Sequence, residues 1–487
     1  MTWRDPSPRT VFFLLLLTYL NFAQAATWGS ACRFDLSRAL VERGTVSIDS
    51  YHENTGDKAF FEGRYYSDKA PLPSYLGAIG VAAGHGVRGV TGHPKSHAIW
   101  LAMTAALATF AATGIPTALG GALFFDVLRE RGVGPANAWW TTFFVFFGTT
   151  LFPYGTLLQG HAPAAAWLLG FFAALFPGRG TPTKRRMLLA GFAASGALAT
   201  EYLTGPAIGI LAFVAVVKHR ALGRRLLPLV GWAILGALPG LVLLGSYHAL
   251  AFGNPFDIGY RHVALPFFQE KMSAGFLGVG PPDLAVAGKL LFGSYRGLFF
   301  TCPVLAFAVW GWIEWCRDRE RRLEAIAAFG VFAFYLVLNA GYSSWHGGWA
   351  IGPRHLVPAI PLLGLGIAPL LPRARIVAGV GVYSVALMLA VTVVQPEVPE
   401  DIRHPVHAHA LPHFLRAEYS IAEQGFDDLL PARKDPQQPD RWDAFLLGEA
   451  LRLPGPLALL PILLSWVVFL PRVRRHADSL AAGAREL

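Results

Sequence analysis

Apolar residues in this chain come in long uncharged blocks, not at amphipathic spacing. Val11 to Leu17, Phe143 to Phe147 and Val377 to Val394 contain no charged side chain. Roughly 20 apolar residues cross a ~30 Å hydrocarbon core. Lipid offers no partner to a free backbone N–H or C=O, so each crossing run must be helical. The pattern predicts an all-α polytopic membrane protein of about twelve spans, at 11–27, 98–126, 136–153, 162–177, 187–203, 205–217, 226–247, 298–315, 323–340, 355–371, 376–394 and 455–470. The stretch 74–90 is apolar but rich in Gly and Ala and follows Pro71 and Pro73. It reads as a helix lying at the interface.

Composition supports this division. The chain is 54% hydrophobic and 15% charged, against about 25% charged in soluble domains. Its formal charge of +10 would suit nucleic acid if it lay in one patch, but the basic residues sit in bursts between apolar runs. The bursts are Arg129 and Arg131; Arg179, Lys184, Arg185 and Arg186; Lys218, Arg220, Arg224 and Arg225; Arg317, Arg319, Arg321 and Arg322; Arg373 and Arg375; and Arg472, Arg474 and Arg475. This is the distribution of cytoplasmic loops under the positive-inside rule, and it predicts a multi-pass bacterial inner-membrane protein that binds no nucleic acid. Both termini then lie in the cytoplasm, and 28–97, 248–295 and 395–452 face the periplasm. The first segment has a second reading: Arg4 and Arg9, an apolar stretch and Ala23-Gln24-Ala25 resemble a cleavable signal peptide. Either reading leaves residue 28 outside. The expected organisation is a transmembrane domain over 1–394 that includes the first loop, a loop over 395–452, and a last span with a tail over 453–487. Cys32, Cys302 and Cys316 are scattered without metal spacing.

The first outer loop carries most of the chemistry-bearing side chains. Arg33 to Arg43 have helical spacing, with Phe34, Ala39, Leu40 and Val41 on an apolar side and Asp35, Arg38 and Glu42 on a polar one. They predict a short helix along the membrane surface. Asp49, Asp57, Lys58, Asp68 and Lys69 follow, among Tyr51, Phe60, Phe61, Tyr65 and Tyr66. A carboxylate at a membrane mouth can serve as a general base, and a lysine can hold a lipid phosphate as a point charge. The same residues also suit a solvated loop with ordinary ion pairs.

The order of these motifs resembles the GT-C glycosyltransferases that use polyprenyl-phosphate-linked sugars, in particular a bacterial phospholipid-carrier-dependent branch related to the lipid A aminoarabinose transferases and the dolichyl-phosphate-mannose protein mannosyltransferases. Arg33-Phe34 stands where the bacterial enzymes have an Arg-Tyr helix, and Tyr65-Tyr66-Ser67-Asp68-Lys69-Ala70-Pro71 where they have Tyr-Phe-Glu-Lys-Pro-Pro. Asn54-Thr55-Gly56-Asp57-Lys58, Thr200-Glu201-Tyr202, Tyr295 to Phe300, Trp345-His346-Gly347-Gly348-Trp349 and Gly352-Pro353-Arg354-His355 continue the likeness, which covers residues 10–370. One departure stands out. The relatives carry an acidic pair just before the first-loop helix, and here that place reads Gly29-Ser30-Ala31-Cys32.

The resemblance implies a sugar transfer from a polyprenyl-phosphate donor to a lipid, glycan or protein acceptor outside the membrane. It leaves Asp35, Asp49 or Asp57 as the base, with Asp35 nearest the position the relatives use. Lys58, Tyr66, Lys69, His161, Glu201, Arg296, Arg354 and His355 are the expected substrate and lipid-phosphate residues. Ionisable side chains in the membrane are costly and are functional candidates by default, and an arginine fork suits phosphate. Trp345 and Trp349 suit sugar stacking or interfacial anchoring. No metal is required; Asp68 with His161, or His404, His407, His409 and His413, would be the places for a divalent ion. Two other readings share these features: a non-catalytic subunit that binds a polyprenyl lipid, and a lipid or solute transporter.

Overall fold

The computed structural model describes residues 6–25, 27–91, 97–178, 180–223, 226–422 and 444–470. It opens with α1 (Pro8–Tyr19), β1 (Phe22–Ala23), α2 (Trp28–Arg38), β2 (Lys58–Phe61), β3 (Arg64–Ser67), α3 (Leu72–Thr91), α4 (His97–Thr109), α5 (Ile115–Glu130), α6 (Pro135–Phe147) and α7 (Leu151–Gly155). The middle contains α8 (His161–Leu175), α9 (Lys184–Thr200), α10 (Thr204–Ala221), α11 (Val230–Phe252), α12 (Pro266–Ser273), α13 (Leu284–Phe292), α14 (Leu298–Thr301), α15 (Leu305–Arg317) and α16 (Arg322–Ala340). It closes with α17 (Ile360–Gly364), α18 (Arg375–Val394), α19 (Leu411–Leu415), β4 (Phe445–Leu446), α20 (Leu447–Ala450) and α21 (Leu460–Phe469). Every predicted span has a helical counterpart. Among the described residues, four stretches are long and apolar enough to cross a membrane by length and composition: 99–130, 227–252, 322–340 and 375–394.

Local chemistry sets the helix ends. Ser7 and Thr10 cap α1 reciprocally, Thr183 accepts from Arg186 N at the start of α9, and Pro at the first turn starts α6, where its missing N–H costs nothing. Helices then approach through small residues. A Cβ on Gly191 would lie 1.8 Å from Ala233 O, and one on Gly236 1.9 Å from Leu188 O, so α9 and α11 cross almost backbone to backbone. Small residues permit such close crossings in membrane bundles. An aromatic core of Trp139, Phe143, Phe147, Phe152 and Trp466 joins α6 and α7 to α21. Trp466 Nε1 donates to Thr18 Oγ1 at 3.0 Å, and β1 pairs antiparallel with β4, Phe22 facing Leu446. The first helix and the last described helix are thus fastened together.

The basic bursts meet at one end of the bundle. Arg131 and Lys218 both grip the buried carboxylate of Glu324, Arg131 at 2.8 Å, and Arg131 Nη2 also donates to Phe176 O. Arg186 reaches Glu130 at 2.7 Å. Arg179, Arg224, Arg225, Arg472, Arg474 and Arg475 lie outside the described residues.

The first loop differs from its expected form. The helix begins at Trp28, not Arg33, and is followed by a π-helical turn over Ala39–Arg43. It is not a surface helix: Arg33, Asp35 and Arg38 are buried along with Phe34 and Leu36. A β-hairpin, β2 on β3 with Ala59 facing Tyr66, covers it. Two chain approaches shape the fit. A Cβ on Gly80 in α3 would lie 2.3 Å from Leu107 O, and one on Gly56 would strike the Trp28 ring at 2.6 Å.

Candidate active site

At the end of the bundle opposite the basic bursts, four separate segments bring charged groups together. Arg33 enters on α2, Asp57 precedes β2, Asp68 and Lys69 follow β3, and Glu201 caps the C-terminus of α9. Lys69 Nζ lies 3.1 Å from Asp57 Oδ2 and 3.1 Å from Asp68 Oδ2. Arg33 Nη2 lies 3.1 Å from Glu201 Oε1, which is also 3.7 Å from His161 Nδ1. The two groups abut at Gly29, where a Cβ would lie 3.5 Å from Asp57 Oδ2 and 3.8 Å from Arg33 Nη1. Gly160 leaves room for Glu201: a Cβ there would fall 2.3 Å from Oε1.

A third cation faces this network. Arg354 starts a 3₁₀ turn over Arg354–Ala359 and rests its side chain on Gly347, 3.1 Å from an ideal Cβ. Gly347, at φ +75°, suits this turn because it has no side chain to strain there. Arg354 Nε is buried without a hydrogen-bond partner, and its guanidinium makes no ion pair among the described residues. Its positive charge, with those of Arg33 and Lys69, acts on Glu201. His355 packs edge-on to His161 at 5.8 Å and Tyr342 at 5.5 Å, and its Nε2 is buried and unpartnered. Tyr260 stands over Lys69 at 5.4 Å, with Tyr202 against it at 5.5 Å. Tyr202, Tyr260 and Tyr342 thus wall a cluster in which Arg354 Nε and His355 Nε2 are left without partners beside paired charges.

Burial acts against the ammonium of Lys69, yet Asp57 and Asp68 hold its pKa well above the ordinary lysine value. Burial pushes the Asp68 carboxyl up; Lys69 pulls it back and Asp57 adds to the rise. Lys69 therefore stays charged across physiological pH.

The three candidate bases separate clearly. Asp57 lies in the network. Asp35 is buried, accepting from Asn54 Nδ2 at 3.0 Å. Asp49 is exposed and accepts from Tyr65 N at 2.7 Å, anchoring the hairpin. Lys58, adjacent to Asp57 in sequence, turns away to His52 O at 2.6 Å and leaves Asp57 to Lys69. Tyr66 is buried against Phe252, ring centroids 5.6 Å apart, and serves the hairpin core. Arg296 is fully buried and donates to His346 O at 3.0 Å and Gly348 O at 2.9 Å; it shapes the loop beneath Arg354. Lys69, His161, Glu201, Arg354 and His355 are the expected residues that the structure brings to this one cluster.

No three His, Cys, Asp or Glu side chains converge as a metal set among the described residues. Asp68 belongs to Lys69 and Cys32, while His161 belongs to Glu201. In the third loop His409 bonds Gln395 and His413 bonds Glu418. These residues do not fit a bound divalent ion.

Glu397 was not visible as a candidate in the sequence. It lies just past α18, is 4% exposed, and accepts from Thr27 Oγ1 at 2.6 Å and from Gln159 Nε2. Its second oxygen is buried without a partner. Burial raises its pKa to about 7 against the opposing hydrogen bond from Thr27 and the charge of Arg354. Val398 O, the next residue, accepts from Ala350 N at 3.0 Å, so this strand of chain pins the Trp345–Arg354 loop. Tyr260 and Tyr342 were also missed.

No protein-family model and no curated protein matches the chain. Solved structures do. ArnT from Cupriavidus metallidurans in the apo state superposes with a TM-score of 0.50 at 15% identity, over 95% of this chain and 75% of that one. The same enzyme bound to undecaprenyl phosphate gives a TM-score of 0.50 at 16% identity, over 95% of this chain and 74% of that one. This chain is an all-α polytopic membrane protein with a fold similar to that of ArnT.

Proposed function

We propose that the protein transfers a sugar from a polyprenyl-phosphate donor to an acceptor hydroxyl on the periplasmic side of the bacterial inner membrane. The observation that carries this reading is the position of Asp57. The place where the relatives keep an acid reads Gly29-Ser30-Ala31-Cys32, but the Asp57 carboxylate occupies the space beside Gly29, next to Arg33 and Lys69. An acid lost from one part of the chain is supplied by another. A structure of the same fold holds undecaprenyl phosphate, which supports a lipid phosphate as the anionic partner here.

In this reading Asp57 takes the proton from the acceptor oxygen as that oxygen attacks the anomeric carbon. The carbon–oxygen bond to the donor phosphate breaks on the opposite face, and the anomeric centre inverts. The charge that develops on the departing lipid phosphate falls to Arg354, which has no counter-ion among the described residues, and to Lys69. Donors held ready in a dry site stabilise such charge without reorganising. Arg33 and Glu201 brace the network and hold His161 beside it.

The test uses purified protein in lipid, radiolabelled polyprenyl-phosphate sugars and a membrane extract as the acceptor source. Loss of label from one donor, abolished in Asp57→Asn, supports the reading. Donor binding without transfer by the parent protein would refute catalysis and leave a lipid-binding subunit, the reading that the missing acidic pair favours.

A further inference from the structure

A cavity of about 1030 Å³ lies away from the charged network, between α5, α8 and α9. Leu119, Leu123, Leu189 and Phe192 wall it, and Gly120 and Gly170 keep it open. At the basic end of the bundle both signs of charge line its mouth. Arg186 is spent on Glu130 and on Ala173 O at 2.9 Å. Asp126, one turn before Glu130 on the same helix, and Arg185, at the start of α9, make no ion pair among the described residues, although both line the cavity. Arg129, three residues after Asp126 on α5, also lines the cavity and is bonded to Val133 O.

Asp126 and Arg185 are both exposed at this mouth, so the ammonium and the phosphate of a lipid headgroup can reach them from the adjoining leaflet. From Asp126 to Ile115 the α5 axis rises about 16 Å, one leaflet's half of a ~30 Å core. A single molecule has this sequence of parts: a primary ammonium, a phosphate beside it, and an acyl chain one leaflet long. We propose that the cleft holds a phosphatidylethanolamine-type phospholipid from the leaflet at the basic end. Its ammonium sits on Asp126, its phosphate on Arg185 and Arg129, and one chain lies along Leu119, Leu123 and Phe192. This assignment does not depend on the transfer reaction, because the cleft opens at the other end of the bundle.

The experiment measures lipid retained by the full chain, delipidated and then offered vesicles of matched acyl composition, by native mass spectrometry. Phosphatidylethanolamine should be retained roughly tenfold over its trimethylated counterpart phosphatidylcholine, since methylation removes the N–H donors of a partly desolvated charge contact. Asp126→Asn should erase that preference and leave total lipid retention near the parent's. Leu119→Trp, which fills the cleft from its lipid-facing side and leaves both charges in place, should lower retention of both lipids. Equal retention of the two lipids by the parent, or an undiminished preference in Asp126→Asn, overturns the assignment. So does preferential capture of phosphatidylglycerol. Displacement by undecaprenyl phosphate would give the cleft to the donor's chain instead.

Discussion

Replacing Glu397 by Gln should remove most of the acid-side pH dependence of stability that one buried carboxyl confers. Folding holds the Glu397 proton to about pH 7, while an ordinary glutamate releases it near 4.5. Between those values the folded protein binds a proton that the unfolded chain does not, so stability falls as pH rises, and it levels off above the folded pKa. The span from 4.5 to about 7, at ~1.36 kcal/mol for each pH step, comes to about 3 kcal/mol for this fully buried group. Gln has the shape of the neutral carboxyl. Its oxygen can still accept from Thr27 and Gln159, and no charge is left in the cavity beside Trp349. Glu397→Gln should therefore match the parent near pH 5 and exceed it at pH 8. The assay is the apparent melting midpoint in detergent at fixed scan rate, across pH 5 to 8, for both proteins. Parallel curves, or a parent that gains stability from pH 5 to 7 relative to the variant, would refute the reasoning.

Asp57→Asn should lower transfer by about 10² to 10⁴ with donor-lipid affinity near normal, the signature of a lost general base, read by comparing turnover with lipid binding. Arg354→Ala should weaken donor-lipid binding by an amount of order 2–5 kcal/mol, typical of a desolvated charge contact, and should leave the melting midpoint intact because Arg354 has no ion partner among the described residues; unchanged lipid affinity would move the phosphate elsewhere. Glu324→Gln should cost roughly 3–5 kcal/mol of stability, since it strands the buried Arg131 and Lys218, while turnover of the surviving folded protein stays at the parental rate. Cysteines at positions near 60 and 270 should react with an impermeant reagent in intact cells, and those near 182 and 320 should not.

The spans were legible because long uncharged blocks in a membrane protein admit one backbone solution. The network was legible in part. Lys69, His161, Glu201, Arg354 and His355 stood out as polar residues among apolar ones, but which acid joined them did not. Asp57 meets Lys69 only because β2 and β3, four residues each, fold back on themselves, and strands that short leave no readable alternation. Sequence adjacency pointed to Lys58 as the partner of Asp57; the strand sends Lys58 to the other side, where His52 holds it. The spacing of Asp35, Arg38 and Glu42 suggested a wetted face, since spacing cannot show that Asn54 bonds Asp35 and that Arg38 and Glu42 pair with each other. Glu397 was hidden among Pro396, Val398 and Pro399, in a stretch with no apolar period to mark it as buried.

The fastening of α1 to α21 through Trp466, Thr18 and the β1–β4 pair has a consequence for biosynthesis. Every residue of the charged network has left the ribosome by position 355, yet the segment that clamps the first helix in place is made about a hundred residues later. Until then α1 lacks its partner along the Thr18 face and β1 lacks its only strand neighbour among the described residues. A translating chain thus carries the residues of the charged network on a frame that α21 has yet to close. Slow insertion of α21 should give chains that hold the charged network but lack the clamp on α1.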